Sequence, residues 1–318
     1  MTAYGIFGDD PRPGARVGDS IVDLRAAEPD LPVPQGTFSQ PSLNAFMALG
    51  RETWAAVRER LRDYEGTVPT QGQALHLPFE VADYVDFYSS RAHAENMGRL
   101  FRPDTDPLPP NWLYLPIGYH GRSGTVVVSG TPVVRPKGQL KAPDDPAPTY
   151  APTRRLDIEL ELGFVIGTPS RLGEPVSTAE ALEHVFGVVL VNDWSARDIQ
   201  AWEYQPLGPF LGKSFATSIS GWVTPLAALD VSLELNPSFA QAYFAQGFNL
   251  LWYGREIEAE TLLDRAIMLS PRDSHISAFH HVRSWAHFSL GEYDIAVEFA
   301  RRATRQPNAT YQAFATLA

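Results

Sequence analysis

The centre of the chain reads Leu156-Asp157-Ile158-Glu159-Leu160-Glu161-Leu162, with apolar and acidic residues in alternation. Strand side chains point to two faces with a period of two, so this pattern predicts a β-strand with one apolar and one acidic face. Neighbouring carboxylates on the acidic face would lie about 7 Å apart, and like charges at that spacing raise one another's pKa unless a cation lies among them. Two interpretations remain open: a site for a hard cation such as Mg²⁺ or Ca²⁺, or the solvated face of an edge strand.

A further carboxylate closes the apolar run 187–193, Gly-Val-Val-Leu-Val-Asn-Asp, which predicts a short buried strand. Asp193 would end that strand at its carboxyl end, where α/β folds often place ligands. Arg197, Gln200 and Tyr204 follow with the spacing i, i+3, i+7, which puts them on one face of a helix. A cation, an amide and a phenol together suit an oxygen-rich substrate, although the spacing fits an ordinary polar helix face equally well.

The segment 86–93, Asp-Phe-Tyr-Ser-Ser-Arg-Ala-His, is the third stretch with side chains that could take part in catalysis. Ser89 or Ser90 can cap a helix that runs toward Leu100, and His93 would lie in its first turn. The positive end of the helix dipole disfavours imidazolium there and keeps the ring neutral, as a general base requires. A structural or solvent-exposed histidine is the alternative interpretation.

Residue composition and hydrophobic pattern divide the chain into three parts. Residues 1–75 carry short apolar runs split by Gly and Pro, which predict small antiparallel strands, and a helix is expected around Asn44–Arg62. Residues 76–230 are rich in Gly, Pro and β-branched runs, including a predicted strand–turn–strand at Thr125–Val134. This middle part therefore reads as β-rich with short helices.

The last part, residues 231–318, has a helical texture with an internal repeat. Asn236-Pro237 recurs as Ser270-Pro271, so that Pro237 and Pro271 are 34 residues apart. A period near 34 with two helices per unit is typical of tetratricopeptide repeats. Two to two and a half such units would be short for a solenoid, which usually needs about three.

Composition and charge exclude several classes of function. Asp and Glu number 37 against 26 Lys and Arg, which gives a net charge of −11 and argues against nucleic acid or an anionic membrane as partner. The absence of cysteine excludes disulfides, thiolate nucleophiles and Cys-ligated zinc. The first residues lack the features of a signal peptide and no apolar run approaches a membrane span, so a cytoplasmic location is expected.

Five segments taken together, in order and in spacing, resemble the fumarylacetoacetase (fumarylacetoacetate hydrolase) family. They are Asp86-x-Tyr88 with His93, Asn111-Trp112 with Gly118-Tyr119-His120-Gly121-Arg122, Asp157 to Glu161, Asn192 to Asp198, and Pro206 to Ser214. The resemblance covers residues 1 to about 229 and is most specific from Asp83 to Trp222. It implies a multi-domain α+β fold: an SH3-like β-barrel over 1–75 and a mixed β-roll over 76–230. The roll would be incomplete, because the family's roll continues beyond Leu229, and all-α tetratricopeptide-like hairpins would follow over 231–318.

The same resemblance assigns residues to a site for Mg²⁺ and/or Ca²⁺. The implied metal ligands are Asp86, Glu159, Glu161 and Asp193, and the positions around a second cation are Lys213 and Thr217. The implied general base is His93. The implied substrate contacts are Tyr88, Arg102, Tyr119, Gln200 and Tyr204, with Arg197 close by.

The activity that the resemblance implies is hydrolysis of 4-fumarylacetoacetate, a β-diketo acid, to fumarate and acetoacetate in tyrosine and phenylalanine catabolism, by a family that forms dimers. Two departures stand out: Ala216 replaces a family glycine, and nothing after Asp230 matches the family's Thr–Gly substrate segment or the glutamate that orients its catalytic histidine. The first expectation is therefore such a hydrolase, with its activity intact or impaired by that loss.

Two alternative functions stay open. A non-catalytic truncated fusion would act as an interaction module, with its helical tail holding a peptide or a partner helix. A related acylpyruvate hydrolase, isomerase or decarboxylase is the other alternative, although the stretch 193–200, Asp-Trp-Ser-Ala-Arg-Asp-Ile-Gln, favours fumarylacetoacetase itself.

Overall fold

The computed structural model describes residues 2–64, 66–89, 94–95, 98–99, 104–177, 180–227, 240–252, 254–271 and 276–306. The chain forms two compact units. The first unit comprises Met1–Asp86 and Tyr119–Ala228, and the second comprises Phe87–Gly118 and Leu229–Ala318. The first unit is mixed α+β around a large sheet, which confirms the predicted fold class at that level.

Sixteen strands are described. They are β1 (Thr2–Phe7), β2 (Arg12–Val17), β3 (Ser20–Asp23), β4 (Val68–Pro69), β5 (Leu75–His76), β6 (Val85–Phe87), β7 (Gly118–His120), β8 (Val126–Val128), β9 (Lys137–Leu140), β10 (Thr149–Pro152), β11 (Leu156–Asp157), β12 (Leu160–Ile166), β13 (Val185–Asp193), β14 (Ser195–Ala196), β15 (Thr217–Ile219) and β16 (Trp222–Pro225).

A ten-stranded sheet organises the first unit. Its order is β4-β3-β2-β1-β16-β13-β15-β8, with β5 added to β1 and β12 added to β13. Its strands pair antiparallel except for β15 and β8, which are parallel. Tyr4 of β1 lies opposite Val223 of β16, so strands from residues 1–75 and from residues 76–230 share one sheet.

The helices of the first unit are short. They are α1 (Leu24–Ala27), α2 (Asn44–Met47), α3 (Arg51–Arg60), α4 (Ala181–His184) and α5 (Arg197–Glu203). The single helix predicted around Asn44–Arg62 is thus two helices. Gly50 separates them with φ +85°, a left-handed conformation that a residue with a Cβ adopts only at a cost.

Aromatic side chains hold helices and sheet together in the first unit. Phe186 of β13 is fully buried, and its ring lies 5.6 Å from that of Phe46 in α2 and 5.1 Å from that of Trp54 in α3. Tyr4 of β1 completes the cluster with a ring 5.8 Å from that of Phe186. The cluster anchors β13, which carries Asp193 at its far end.

Two predicted strands differ in the structure. The predicted strand at 156–162 is two strands, because β11 pairs with β14 whereas β12 pairs with β13, and the chain changes partner at Ile158 and Glu159. The predicted second strand after Val128 is not formed within Thr131–Pro136. Pro132 and Pro136 remove two backbone donors there, which is a sufficient reason.

Apolar and acidic residues do alternate between the two faces at the start of β12, as predicted, but it is the acidic residues that face inward. The apolar side chains face outward, and Leu160 is 72% exposed. The acidic side chains of Glu159 and Glu161 face inward and are only partly accessible. Glu159 and Glu161 therefore do not lie on a solvated face, whereas Asp157, the third acidic residue of the predicted face, has a side chain that is 52% exposed. The cation-site interpretation stays a prediction.

The second unit contains the longer helices. They are α6 (Ala240–Trp252), α7 (Glu256–Leu269), α8 (Ile276–Ser289) and α9 (Tyr293–Thr304). Each packs against the next along the chain, and the Phe244 and Phe279 rings stack with centroids 4.7 Å apart. Gly254 and Gly291, with φ +65° and +77°, lie in the turns inside the two helix pairs. The helical texture predicted after Asp230 is confirmed for the described residues from Ala240 to Thr304. None of the described helices is long and apolar enough to cross a membrane.

Candidate metal centre

Three carboxylates from three strands of the first unit come together. They belong to Asp86 in β6, Glu161 in β12 and Asp193 at the end of β13, and one oxygen from each lies within 4.8 Å of the others. The pairing of β12 with β13 sets Glu161 opposite Val191, on the strand that Asp193 closes. Sheet register therefore brings together residues that are far apart in sequence.

Two buried cations border this group. Arg122 is 6% exposed and donates from Nη1 to Asp86 Oδ2 and from Nη2 to Asp193 Oδ2, each at 3.0 Å. Lys213 Nζ donates to Asp193 Oδ2 at 2.5 Å and also to Glu159. One oxygen of Asp193 thus accepts from both cations, and the residue is 1% exposed.

Glu159 stands apart from the three-carboxylate group. Its Oε1 accepts from Arg197 Nη2 at 2.7 Å, and its Oε2 accepts from Lys213. Burial acts to raise the pKa of Glu159, but the charges of Lys213 and Arg197 outweigh it and hold this pKa at about 2. Both oxygens are paired with cations here, and the role of Glu159 as a metal ligand stays a prediction.

The remaining charge balance favours a cation at the group. Burial, followed by the negative charges of Asp86, Asp193 and Glu159, raises the pKa of Glu161 to about 8. Asp193 Oδ1 is buried and has no hydrogen-bond partner among the described residues. Carboxylate oxygens are the ligands that Mg²⁺ and Ca²⁺ prefer, so these three residues fit a hard divalent ion.

The predicted second cation position is also buried. Thr217 lies opposite Asp193 in the β13–β15 pair, and its Oγ1 is 3.3 Å from the Tyr84 hydroxyl oxygen. Lys213 supplies a positive charge rather than an oxygen ligand, which places it beside a cation site instead of on the ion.

The predicted substrate contacts are only partly brought together. Arg197 and Gln200 do share a face of α5, and Arg197 Nη1 donates to Gln200 Oε1 at 3.1 Å. Tyr204 is the residue that caps α5, and Tyr119 belongs to β7 of the same unit. Tyr88 belongs to the second unit, where its hydroxyl donates to the Ala94 carbonyl at 3.1 Å.

His93 and Arg102, the predicted general base and one substrate contact, lie outside the described residues. Arg122 is the residue that sequence reasoning missed as a partner of the carboxylates. Arg122 follows β7 and belongs to a segment that carries the family resemblance, but a single arginine shows no periodicity, so only the three-dimensional neighbourhood identifies its partners.

Comparisons with known proteins place this arrangement in a class. Residues 4–75 match the family model described as fumarylacetoacetase N-terminal, and residues 83–267 match that of fumarylacetoacetate (FAA) hydrolase C-terminal. These two matches show that the chain is a member of the fumarylacetoacetate hydrolase family. The mixed sheet of the first unit, whose strands bring three carboxylates together, lies within the matched residues. The second match runs past Asp230 into α7.

Individual curated proteins show which members of the family this chain is similar to. The chain is 49% identical over 259 residues to the fumarylacetoacetase of Homo sapiens and 46% identical over 260 residues to that of Caenorhabditis elegans; each alignment covers 74% of this chain and 62% of the relative. The chain thus spans less than two thirds of the length of these curated relatives. A solved fumarylacetoacetate hydrolase from Exiguobacterium antarcticum is 18% identical, with a TM-score of 0.39 over 71% of this chain and 67% of that one.

Proposed function

We propose that this chain is a metal-dependent hydrolase that cleaves the carbon–carbon bond of 4-fumarylacetoacetate to give fumarate and acetoacetate, as a step of tyrosine and phenylalanine catabolism in the cytoplasm. The observation that carries the proposal is the convergence of oxygens from Asp86, Glu161 and Asp193 within 4.8 Å of one another. Family membership and relatives named fumarylacetoacetase, at 46% and 49% identity, support this choice of substrate.

Asp86, Glu161 and Asp193 would hold Mg²⁺ or Ca²⁺, with Glu159 as the proposed fourth ligand. When bound, the ion supplies Lewis-acid stabilisation of negative charge on the diketone oxygens. Arg122 and Lys213 hold Asp193 in place and offset part of the negative charge of the group. Lys213 and Thr217 border the proposed second cation position.

In this proposal, side chains of the protein transfer the proton and bind the substrate. His93 takes a proton from a water, whose oxygen attacks the carbonyl carbon on the fumaroyl side. The carbon–carbon bond breaks and its electron pair stays on the acetoacetate fragment. The proton that His93 took from the water then passes to that carbon, which completes fumarate and acetoacetate. Arg102, Gln200 and Tyr204, together with Tyr88, Tyr119 and Arg197, would bind and orient the carboxylates and carbonyls of the substrate.

We further propose the finer domain division, with an SH3-like barrel over 1–75, a β-roll over 76–230 and tetratricopeptide-like hairpins over 231–318. The separate family matches at 4–75 and 83–267 support the first boundary. The two helix pairs, which begin at Ala240 and Ile276, support the repeat. Such helix pairs also favour a second function, the binding of a partner protein by the tail, beside a homodimer of the catalytic part.

The test of the hydrolase is loss of fumarylacetoacetate absorbance with purified full-length protein, with added Mg²⁺ or Ca²⁺ and after chelation. We expect metal-dependent turnover that falls about 10²–10⁴-fold in His93→Ala, the range for loss of a general base. Asp193→Asn should weaken metal binding measured by calorimetry, whereas Glu174→Gln, which changes an exposed carboxylate of the same unit, should leave both properties unchanged. A wild-type rate no higher than that of His93→Ala contradicts the proposal.

A further inference from the structure

A histidine in the second unit lies between two carboxylates from different elements. His287 of α8 is 2% exposed, and its Nδ1 is 2.6 Å from Glu292 Oε2, in the residue that precedes α9. Its Nε2 is buried, lies 3.8 Å from Glu260 Oε1 of α7 and has no hydrogen-bond partner in the described parts of the chain. Neither family membership nor the proposed hydrolysis gives this group a role.

We propose that Glu260, His287 and Glu292 form a separate metal site in the second unit, for Zn²⁺ or a similar transition-metal ion. His287 Nε2 and the Glu260 carboxylate are its protein ligands, and Glu292 holds the imidazole ring. The three residues offer ligand atoms within 4.8 Å of one another.

The hydrogen bond at Nδ1 fixes the tautomer of a neutral imidazole. A carboxylate only accepts, so Nδ1 carries the hydrogen that Glu292 receives, and Nε2 is left with a lone pair. That lone pair faces Glu260 Oε1, which is an acceptor as well. A cation between them would stabilise the buried Nε2 lone pair and the partly exposed Glu260 oxygen that it faces. A carboxylate that orients a histidine through its distal nitrogen is the usual outer shell of a histidine–metal site.

The separation of the two acceptors fits a metal better than a proton. At 3.8 Å, Nε2 and Oε1 are too far apart for a hydrogen bond. A tetrahedral zinc with bonds of about 2.0–2.2 Å holds its ligand atoms about 3.3–3.6 Å apart, a distance that a small rotation of Glu260 provides. Imidazole with carboxylate suits zinc, whereas Mg²⁺ and Ca²⁺ favour oxygen alone, which distinguishes this site from the first centre.

The surrounding charges leave room for a divalent ion. Arg283 is the cation nearby, with Nη2 3.1 Å from Glu260 Oε1 and Nε 2.7 Å from Asp264 Oδ1. Glu260 and Asp264 contact this guanidinium and Glu292 contacts His287, so these described side chains are together net negative while His287 is neutral. Arg283 retains Asp264 as its partner when Glu260 turns toward the ion. Its proximity weakens binding relative to a site without it.

The test uses full-length protein that carries Asp193→Asn, so that the first centre does not obscure the titration. After chelation, Zn²⁺ is titrated by calorimetry, and Co²⁺ is titrated by its visible absorption. We expect one Zn²⁺ per chain, a loss of affinity of more than about tenfold in His287→Gln and of about 10–100-fold in Glu292→Gln.

The matched control is His280→Gln, a histidine on the same helix α8 and two turns away, which should bind Zn²⁺ like the parent. Glu292→Gln changes a partly exposed side chain, so it carries the test even where His287→Gln fails to fold. Equal Zn²⁺ affinity in the His287, Glu292 and His280 variants, or no Zn²⁺ binding to the parent, overturns the proposal. Neither result bears on hydrolysis, which is assayed with different residues.

Discussion

At the scale of single residues, the first centre combines carboxylates in opposite electrostatic situations. Glu159 has two cationic partners and a pKa of about 2. Glu161, two residues further along, has a pKa of about 8, because burial and three neighbouring carboxylates both raise it. Two glutamates two positions apart thus differ because Lys213 and Arg197 contact only one of them. This difference makes Glu161 the residue whose charge depends most on an added metal ion.

The raised pKa of Glu161 predicts a pH dependence of stability for the metal-free protein. The folded pKa is above the ordinary value of 4.5, so the folded state binds this proton more tightly than the unfolded state. Its contribution is complete below about pH 4.5 and is lost as the pH rises through about 8. Relative to Glu161→Gln, whose amide does not titrate, we expect the wild-type free energy of unfolding to fall across this window in urea titrations.

Saturating Mg²⁺ or Ca²⁺ supplies the control for that experiment. A bound cation favours the ionised carboxylate, so the pH dependence of the wild type should flatten or reverse with metal and stay unchanged in Glu161→Gln. Parallel stability curves of the two proteins without metal contradict the assignment.

At the scale of elements, β12 inverts the usual arrangement of an amphipathic strand, with apolar residues outside and acidic residues inside. This orientation predicts that Leu160→Thr changes the free energy of unfolding by no more than about 0.5 kcal/mol, as for an exposed site. Phe186→Ala on the neighbouring β13 removes a fully buried ring and should cost about 3–5 kcal/mol. Urea unfolding of both variants measures the contrast, and a loss of several kcal/mol at Leu160 would show that this face is covered in solution.

The type of a secondary-structure element was easier to predict from the sequence than the residues at which it begins and ends. The run ending at Asp193 gave a correct strand and the acidic–apolar alternation gave extended segments on both sides of 158–159, because each depends on side-chain periodicity within one segment. The break at Ile158 and Glu159 and the interruption of a helix at Gly50 were missed. The first depends on which strand each half pairs with, and the second on a backbone conformation that a glycine allows but does not require.

At the scale of the whole molecule, hydrogen exchange can test whether a bound metal ion stabilises one of the two units and not the other. A ligand that binds only the folded state stabilises it by about 2.7 kcal/mol at 100 times its dissociation constant. With Mg²⁺ or Ca²⁺ we expect added protection in peptides from β12, β13 and β15, and no change in α6 to α9. Mass spectrometry resolves these peptides, and equal protection in both sets contradicts a site confined to the first unit.

The sequence by itself determined the family, the acidic strand, the carboxylate at the end of β13 and the helical character beyond Asp230, because each is written in local order or spacing. Tertiary structure alone decided that Asp86, Glu161 and Asp193 share one place, that Arg122 and Lys213 hold them, and that His287 lies between Glu260 and Glu292. The physical reason is that strand register and helix packing, which depend on distant segments, choose the neighbours of a side chain. The charge and the ligand capacity of that side chain follow from those neighbours.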